Sequence, residues 1–119
     1  MRLSIEPNGA TPPSEQLRAQ LLERISGGEL PHGAKLPTVR GLADELGLAP
    51  NTVAKVYREL EQSGAIETRG RNGSFVAWSP DAAVRRIEEA AAALVVTARE
   101  LGVPSERVVE IVTAAVQQR

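Results

Sequence analysis

The sequence has no cysteine and a single histidine. The first absence excludes disulfides, thiolate metal sites and thiol catalysis, and it permits a reducing compartment. The second leaves His32 without the partners that a metal ligand or a general base needs, because no other histidine and no paired acids flank it. An exposed loop histidine is the expectation. Asp44 and Glu45 are adjacent, and neighbouring side chains on a helix point about 100° apart, so their carboxylates do not converge. Aromatics make up 3% of the chain, so a core must be built from Leu, Val, Ile and Ala and must be modest. Long apolar runs are missing too. The longest, Ala90 to Val96, is far too short to span a bilayer, and the first residues hold no apolar signal core. The glycines between Gly70 and Gly73 make neither a GxGxxG run nor a GK[ST] motif opening a helix. The absences together predict no enzyme, no metal, no cofactor and no membrane partner, with the cytosol as the expected location.

Charge of one sign is also lacking. The formal net charge is −1, with nine basic and nine acidic residues over 1–79 and five against six over 80–119. That balance does not advertise a polyanionic partner. Affinity for one depends on where cations lie, however, and Arg40, Lys55, Arg58, Arg69 and Arg71 are candidates for a common face.

What is present centres on Leu36 to Leu60, LPTVRGLADELGLAPNTVAKVYREL. Thr38 is placed to cap a helix whose apolar positions Val39, Leu42, Ala43 and Leu46 fall three and four apart, and Gly47 is placed to end it. After Leu48 and Ala49, Pro50 suits the first position of a second helix, since its missing N–H is not needed there. Val53, Val56, Tyr57 and Leu60 form the inner stripe of that helix. Asn51, Thr52, Lys55, Arg58 and Glu59 are left outward, and amide, hydroxyl and cationic groups near such a helix start are what a DNA major groove is read with. Beyond Gly64, Ala65 to Thr68 and Ser74 to Trp78 read as two short strands around a Gly/Asn-rich turn, with Phe75 and Trp78 as inward anchors. Two helices followed by a hairpin make a winged helix-turn-helix. Upstream, Ser14 is placed to cap a helix over Glu15 to Ser26 with Leu17, Leu21, Leu22 and Ile25 inward, and Leu3 and Ile5 suggest a short extended arm.

These residues resemble the GntR family of bacterial transcription regulators over Leu30 to Val76. The pattern is carried by Leu30-Pro31-x-Gly33-x-x-Leu36-Pro37-x-x-Arg40-x-Leu42-Ala43, Leu46-Gly47, Asn51-Thr52-Val53, Leu60-Glu61-x-x-Gly64 and Gly73-Ser74-Phe75-Val76. The short C-terminal remainder, with Pro50-Asn51-Thr52-Val53 and Tyr57, is similar to the small YtrA-type subfamily. The resemblance implies a DNA-binding regulator, favours repression, and makes Arg40 a DNA contact. The sequence departs from the family at Pro50 and Ala54, where many members carry arginines, so Asn51 and Lys55 are expected to carry more of the base readout. Arg58 lies farther along and suits a phosphate, and Thr52 suits a phosphate or a thymine methyl. A surface ion pair with Asp44 is the competing role for Arg40. At the wing, Arg71, Asn72 and Gly73 are the expected contacts, with Arg71 entering a narrowed minor groove.

The fold class expected is mostly α with a small β-hairpin: a winged helix-turn-helix over 1–79 and a two-helix dimerisation hairpin over 80–119. Ser79-Pro80-Asp81 is a strong helix start, and Val84, Ile87, Ala91, Leu94, Ala98 and Leu101 form a narrow seam. Gly102 closes that helix, and Ser105 is placed to cap a second in which Val109, Val112 and Val116 belong to a surplus apolar face. A hairpin so apolar needs a partner, and a second copy of the chain is the one expected. A homodimer would present two reading helices to a palindromic operator. A small-molecule effector, if used, would have only the dimer interface to bind in, because two short helices enclose little. Two other readings are a winged protein-interaction module without specific DNA binding, and a fragment of a larger enzyme of the aminotransferase-fused kind. Against the second, no lysine or phosphate site stands in the C-terminal segment, and Gln117-Gln118-Arg119 reads as a frayed helix end.

Overall fold

A computed structural model describes residues 1–118; Arg119 lies outside the described residues. The elements run α1 (Pro13–Ser26), α2 (Val39–Leu46), α3 (Pro50–Gln62), β1 (Ile66–Thr68), β2 (Ser74–Val76), α4 (Pro80–Glu100) and α5 (Ser105–Gln117), with a single 3-10 turn (Gly70–Asn72) between the strands. The chain divides into two compact units, one over Met1–Ala83 and one from Val84 onward. The break falls inside the first turns of α4, a few residues after the 79/80 boundary expected.

In the first unit the helical stripes do what their spacing requires. Leu17, Leu21 and Ile25 of α1, Leu42 and Ala43 of α2, and Val53, Val56, Tyr57 and Leu60 of α3 are buried in one core with Leu36, Ala65, Ile66 and Val76. Leu22, Val39, Leu46 and Trp78 pack around its edge. Trp78 is thus an anchor, as expected. Phe75 is not: it is half-buried like Trp78 but does not pack on that core, because strand alternation gives the inward place to its neighbour Val76.

Two caps differ from expectation. Ser14 lies inside α1, whose N-cap is Pro12 and whose first turn starts at Pro13, since a proline fixes a helical φ without needing a donor. Ser105 is likewise the first residue of α5 rather than its cap, Pro104 holding that place with no side-chain hydrogen bond. The caps at Thr38 and Ser79 form as predicted. Thr38 Oγ1 accepts from the Gly41 N–H at 3.0 Å, and Ser79 Oγ accepts from the Ala82 N–H at 3.2 Å. Gly47 leaves α2 in the left-handed conformation, φ 68°, and its N–H reaches the Ala43 carbonyl. Because α2 has 8 residues and a single side-chain cap, Thr38→Ala should destabilise the first unit by about 1 kcal/mol. A denaturant titration with a lowered midpoint and an unchanged slope would show it. An unchanged midpoint would mean that packing alone holds α2.

The N-terminal arm is docked rather than loose. Leu3 and Ile5 pack on the core, and alternate backbone groups are taken by three side chains spaced four apart on α1. Gln16 bonds both backbone groups of Glu6, Gln20 both of Ser4, and Arg24 Nη2 donates to the Arg2 carbonyl at 2.8 Å. Two periods, 2 along the arm and about 3.6 along the helix, are matched by this pairing.

Strands β1 and β2 pair antiparallel, Ile66 opposite Val76, Glu67 opposite Phe75 and Thr68 opposite Ser74. They are shorter than Ala65 to Thr68 and Ser74 to Trp78, because Ala77 and Trp78 both donate to the one carbonyl of Ala65 and leave the ladder. Residues 33–36, which read as a proline-bounded loop, extend the sheet. Gly33 N–H donates to the Val76 carbonyl, Val76 N–H to Ala34 and Leu36 N–H to Ser74, each at 2.8 Å, with Lys35 opposite Phe75.

In the second unit, α4 and α5 are joined by an elbow closed by Gly102, φ 72°, and by a Val103 N–H bond to the Ala98 carbonyl at 2.8 Å. Ala98 corrects one expectation. It is 8% exposed and packed into this elbow, so it is not available to an outward seam. The remaining seam and surplus positions Val84, Ile87, Leu94, Leu101, Val109, Val112 and Val116 are all exposed, and Ala91 with them. Ala98 is the one buried side chain among the described residues of this unit. Helices without a core of their own present apolar faces to water, which a stable protein rarely tolerates over such an extent.

Candidate nucleic-acid interface

The turn between α2 and α3 is three residues, Gly47 to Ala49, and α3 begins at Pro50 with its first polar side chains unobstructed. Asn51, Lys55 and Arg58 are exposed and Thr52 is half-exposed. Asn51, Lys55 and Arg58 stand at intervals of four and three on α3, so they share the face opposite Val53, Val56 and Leu60. At about 1.5 Å of rise per residue, Arg58 lies about 10 Å beyond Asn51 along the axis. The amide is at the leading end of the helix and the guanidinium is behind it, an order that suits bases first and phosphates second.

Tyr57 sits on the other side of that stripe, and its hydroxyl is committed. It donates to the Pro37 carbonyl at 2.7 Å, tying α3 to the entry of α2, and burial pushes its pKa up to about 12. The ring is therefore part of the core with a hydrogen-bonded edge rather than a phosphate ligand. Arg40, in the first turn of α2, is exposed and makes no ion pair with Asp44 among the described residues. Thr38 is also exposed; its oxygen accepts the capping bond, which leaves the O–H free to donate outward.

The wing tip is a 3-10 turn rather than a two-residue hairpin. Asn72 N–H reaches the Arg69 carbonyl at 3.0 Å and Arg69 N–H reaches Gly73 at 2.8 Å. Only the glycines take positive φ there, Gly70 at 53° and Gly73 at 102°; Arg71 and Asn72 do not need it. Both of those side chains are exposed. Arg69 leaves the set of free cations. Its Nε donates to Glu67 Oε1 at 2.8 Å, its Nη2 pairs with the same carboxylate, and its guanidinium lies 4.2 Å from the centre of the Phe75 ring.

Between the wing and the helices run two clefts of about 260 and 250 Å³ that share Val39, Tyr57, Thr68 and Ser74. Lys35, Arg71 and Asn72 line the first and Arg58 lines the second, where Glu61 is occupied in accepting the Thr68 N–H at 2.9 Å. Sequence reasoning missed Lys35. The alternation of charged Lys35 with apolar Ala34 and Leu36 was a signal, but Pro31 and Pro37 on either side hid the single bridge that Lys35 makes to Phe75. Among the described residues no group of three or more His, Asp or Glu side chains is placed to hold a metal ion, and no helix is long and apolar enough to cross a membrane.

A three-helix core, an exposed reading stripe on the last helix and a two-stranded wing with a cationic tip define a winged helix-turn-helix protein of the regulatory kind. Residues 13–76 match the bacterial regulatory proteins of the gntR family, more than half of the chain, and the chain belongs to that family. It is 34% identical over 113 residues to the HTH-type transcriptional repressor YtrA of Bacillus subtilis, an alignment covering 91% of this chain and 87% of that one. It is 49% identical over 74 residues to the HTH-type transcriptional regulator Rv1152 of Mycobacterium tuberculosis, covering 62% of this chain and 61% of that protein, less than two thirds of its length. Among solved structures, YtrA from Sulfolobus acidocaldarius, a GntR-family transcription factor, superposes with a TM-score of 0.62 at 27% identity over 96% of both chains.

Proposed function

We propose that this protein is a cytosolic, sequence-specific DNA-binding regulator that represses transcription by occupying a palindromic operator as a homodimer. The observation that carries this reading is the Asn51, Lys55 and Arg58 stripe, exposed on α3 of a gntR-family domain beside a wing tipped by Arg71 and Asn72. Asn51 pairs bidentately with an adenine edge, Thr52 meets a thymine methyl or a phosphate, and Lys55 reaches guanine or phosphate. Arg40, Arg58 and the Thr38 hydroxyl hold the backbone, while Arg71 enters the minor groove with Asn72 and Gly73 close to the sugar edges. No chemistry is performed on DNA; the protein acts by position. Repression is the role of the Bacillus relative, to which this chain aligns over nearly its whole length.

Dimerisation is supported by the second unit, whose exposed apolar residues include Val84, Ile87, Leu94, Leu101, Val109, Val112 and Val116. An effector of the dimer is placed by this reading between two such hairpins, where the apolar faces of both copies would enclose it. The cleft within one elbow measures about 140 Å³, against the ~300 Å³ that a ligand of metabolite size needs. A metabolite that shifts operator binding should give a calorimetric signal with the dimer and none with a monomeric variant; equal signals from both would remove the interface as its site.

Selection of bound duplexes from a random DNA pool at physiological salt tests the whole reading. The expected result is a palindrome whose half-site centres are about 34 Å apart, or a multiple of that, one turn of DNA per step. Failure to enrich any sequence, with weak binding that vanishes as salt rises, would replace it with the protein-interaction module that a net charge of −1 allows.

A further inference from the structure

We propose that Lys35, carried to the wing by the segment 33–36, is a second DNA-backbone contact of the wing, holding a phosphate beside the groove that Arg71 enters. This rests on the DNA-binding reading above and adds a residue to it. The position is built by the backbone: Lys35 lies opposite Phe75 in the sheet, and Phe75 lies opposite Glu67, so Glu67, Phe75 and Lys35 form one row across three extended segments. Residues directly opposite on antiparallel strands turn their side chains to the same face.

The charges in that row are not equivalent. Glu67 is neutralised by Arg69, which also covers the Phe75 ring, whereas the Lys35 ammonium makes no ion pair among the described residues. Its stem runs toward the tip. A Cβ built on Gly73 would come 3.1 Å from Lys35 Cε and 3.9 Å from Nζ, so the ammonium sits over Gly73, two residues from Arg71, and lines the same cleft. Glycine at 73 thus serves the lysine as well as the turn, since a side chain there would crowd the stem across its path. Two cations from different segments, one on the turn and one on the bridged segment 33–36, straddle the tip. Minor-groove walls are two rows of phosphates, and a tip that inserts one cation between them is held by a second that stays on a wall.

Lys35→Met tests this, because it removes the charge and keeps the stem that covers Gly73. The probes are the operator from the random-pool selection and a 30-bp duplex of unrelated sequence. Removal of one phosphate contact should lower the slope of log affinity against log salt by ~0.9 on both. Between 50 and 200 mM salt, wild-type affinity should then fall about 3.5-fold more than that of the variant. Lys35→Arg should restore the slope, and the thermal midpoint of Lys35→Met should match wild type. A wild-type slope for Lys35→Met would overturn the assignment, and a lowered midpoint with an unchanged slope would make Lys35 a packing residue only. If wild-type protein binds neither duplex, the DNA-binding reading fails and this inference fails with it; wild-type binding with an unaltered Lys35→Met slope removes the inference alone.

Discussion

Leu94→Asp should convert the protein to a monomer at every concentration accessible to sedimentation, and should weaken operator binding by at least ~100-fold. Leu94 is 39% exposed on α4, in the run Val84, Ile87, Ala91, Leu94 and Leu101. A carboxylate forced between two such helices loses its water with no cation to replace it, a penalty of several kcal/mol per ion that is incurred twice in a symmetric interface. The loss at the operator follows from linkage. Two tethered reading heads bind as one event at high effective concentration, and separate heads must each bind alone, a difference of 10²–10⁴ in typical bivalent systems. The first unit has its own core of residues from α1 to β2, so the circular dichroism of its helices should survive the substitution. An unchanged sedimentation mass would move the contact to α5, where Val109, Val112 and Val116 would be the next positions to charge.

Asn51→Ala should lower affinity for the selected operator by about 1–3 kcal/mol, between roughly 5- and 150-fold, and leave binding to unrelated duplexes unchanged. A bidentate amide–adenine pair discriminates because the wrong base leaves buried donors and acceptors unmatched. Its own repeat of the random-pool selection should show one relaxed position in each half-site. Arg58→Ala provides the contrast: about 10 Å farther along α3, it should weaken all duplexes alike and reduce the salt slope by ~0.9. Equal losses on every sequence for both variants would remove Asn51 from the readout and leave Lys55 as the side chain to test.

Much of this arrangement was legible in the sequence because the signals were local and of one period. The stripe Val53, Val56, Tyr57 and Leu60 fixes the orientation of α3, and with it the outward stripe, without any tertiary information. Thr38 and Gly47 mark the ends of α2 through hydrogen bonds within a few residues of each. Features that depend on distant partners were not legible. Ala98 has the spacing of the α4 seam, and only the path of the elbow, set by Gly102 and Val103, turns it inward. Arg69 resembles Arg71 as a letter, and its capture by Glu67 and Phe75 depends on strand register. Ser14 and Ser105 are good capping residues in the wrong frame, each displaced by a proline just before it. Lys35 makes a single bridge to a residue about forty positions downstream, a pairing that no window of local pattern contains.

The lone buried alanine of the second unit bears on how the cell would use the protein. A hairpin whose described residues hold no core of their own orders, if the protein is dimeric, as it pairs with a second copy, so the folded fraction of that unit would depend on protein concentration. Under the dimeric reading, the species competent to hold an operator then rises with the square of the copy number while monomers predominate. A modest change in synthesis or degradation becomes a larger change in promoter occupancy, and the threshold is set by how well one apolar helix face matches itself.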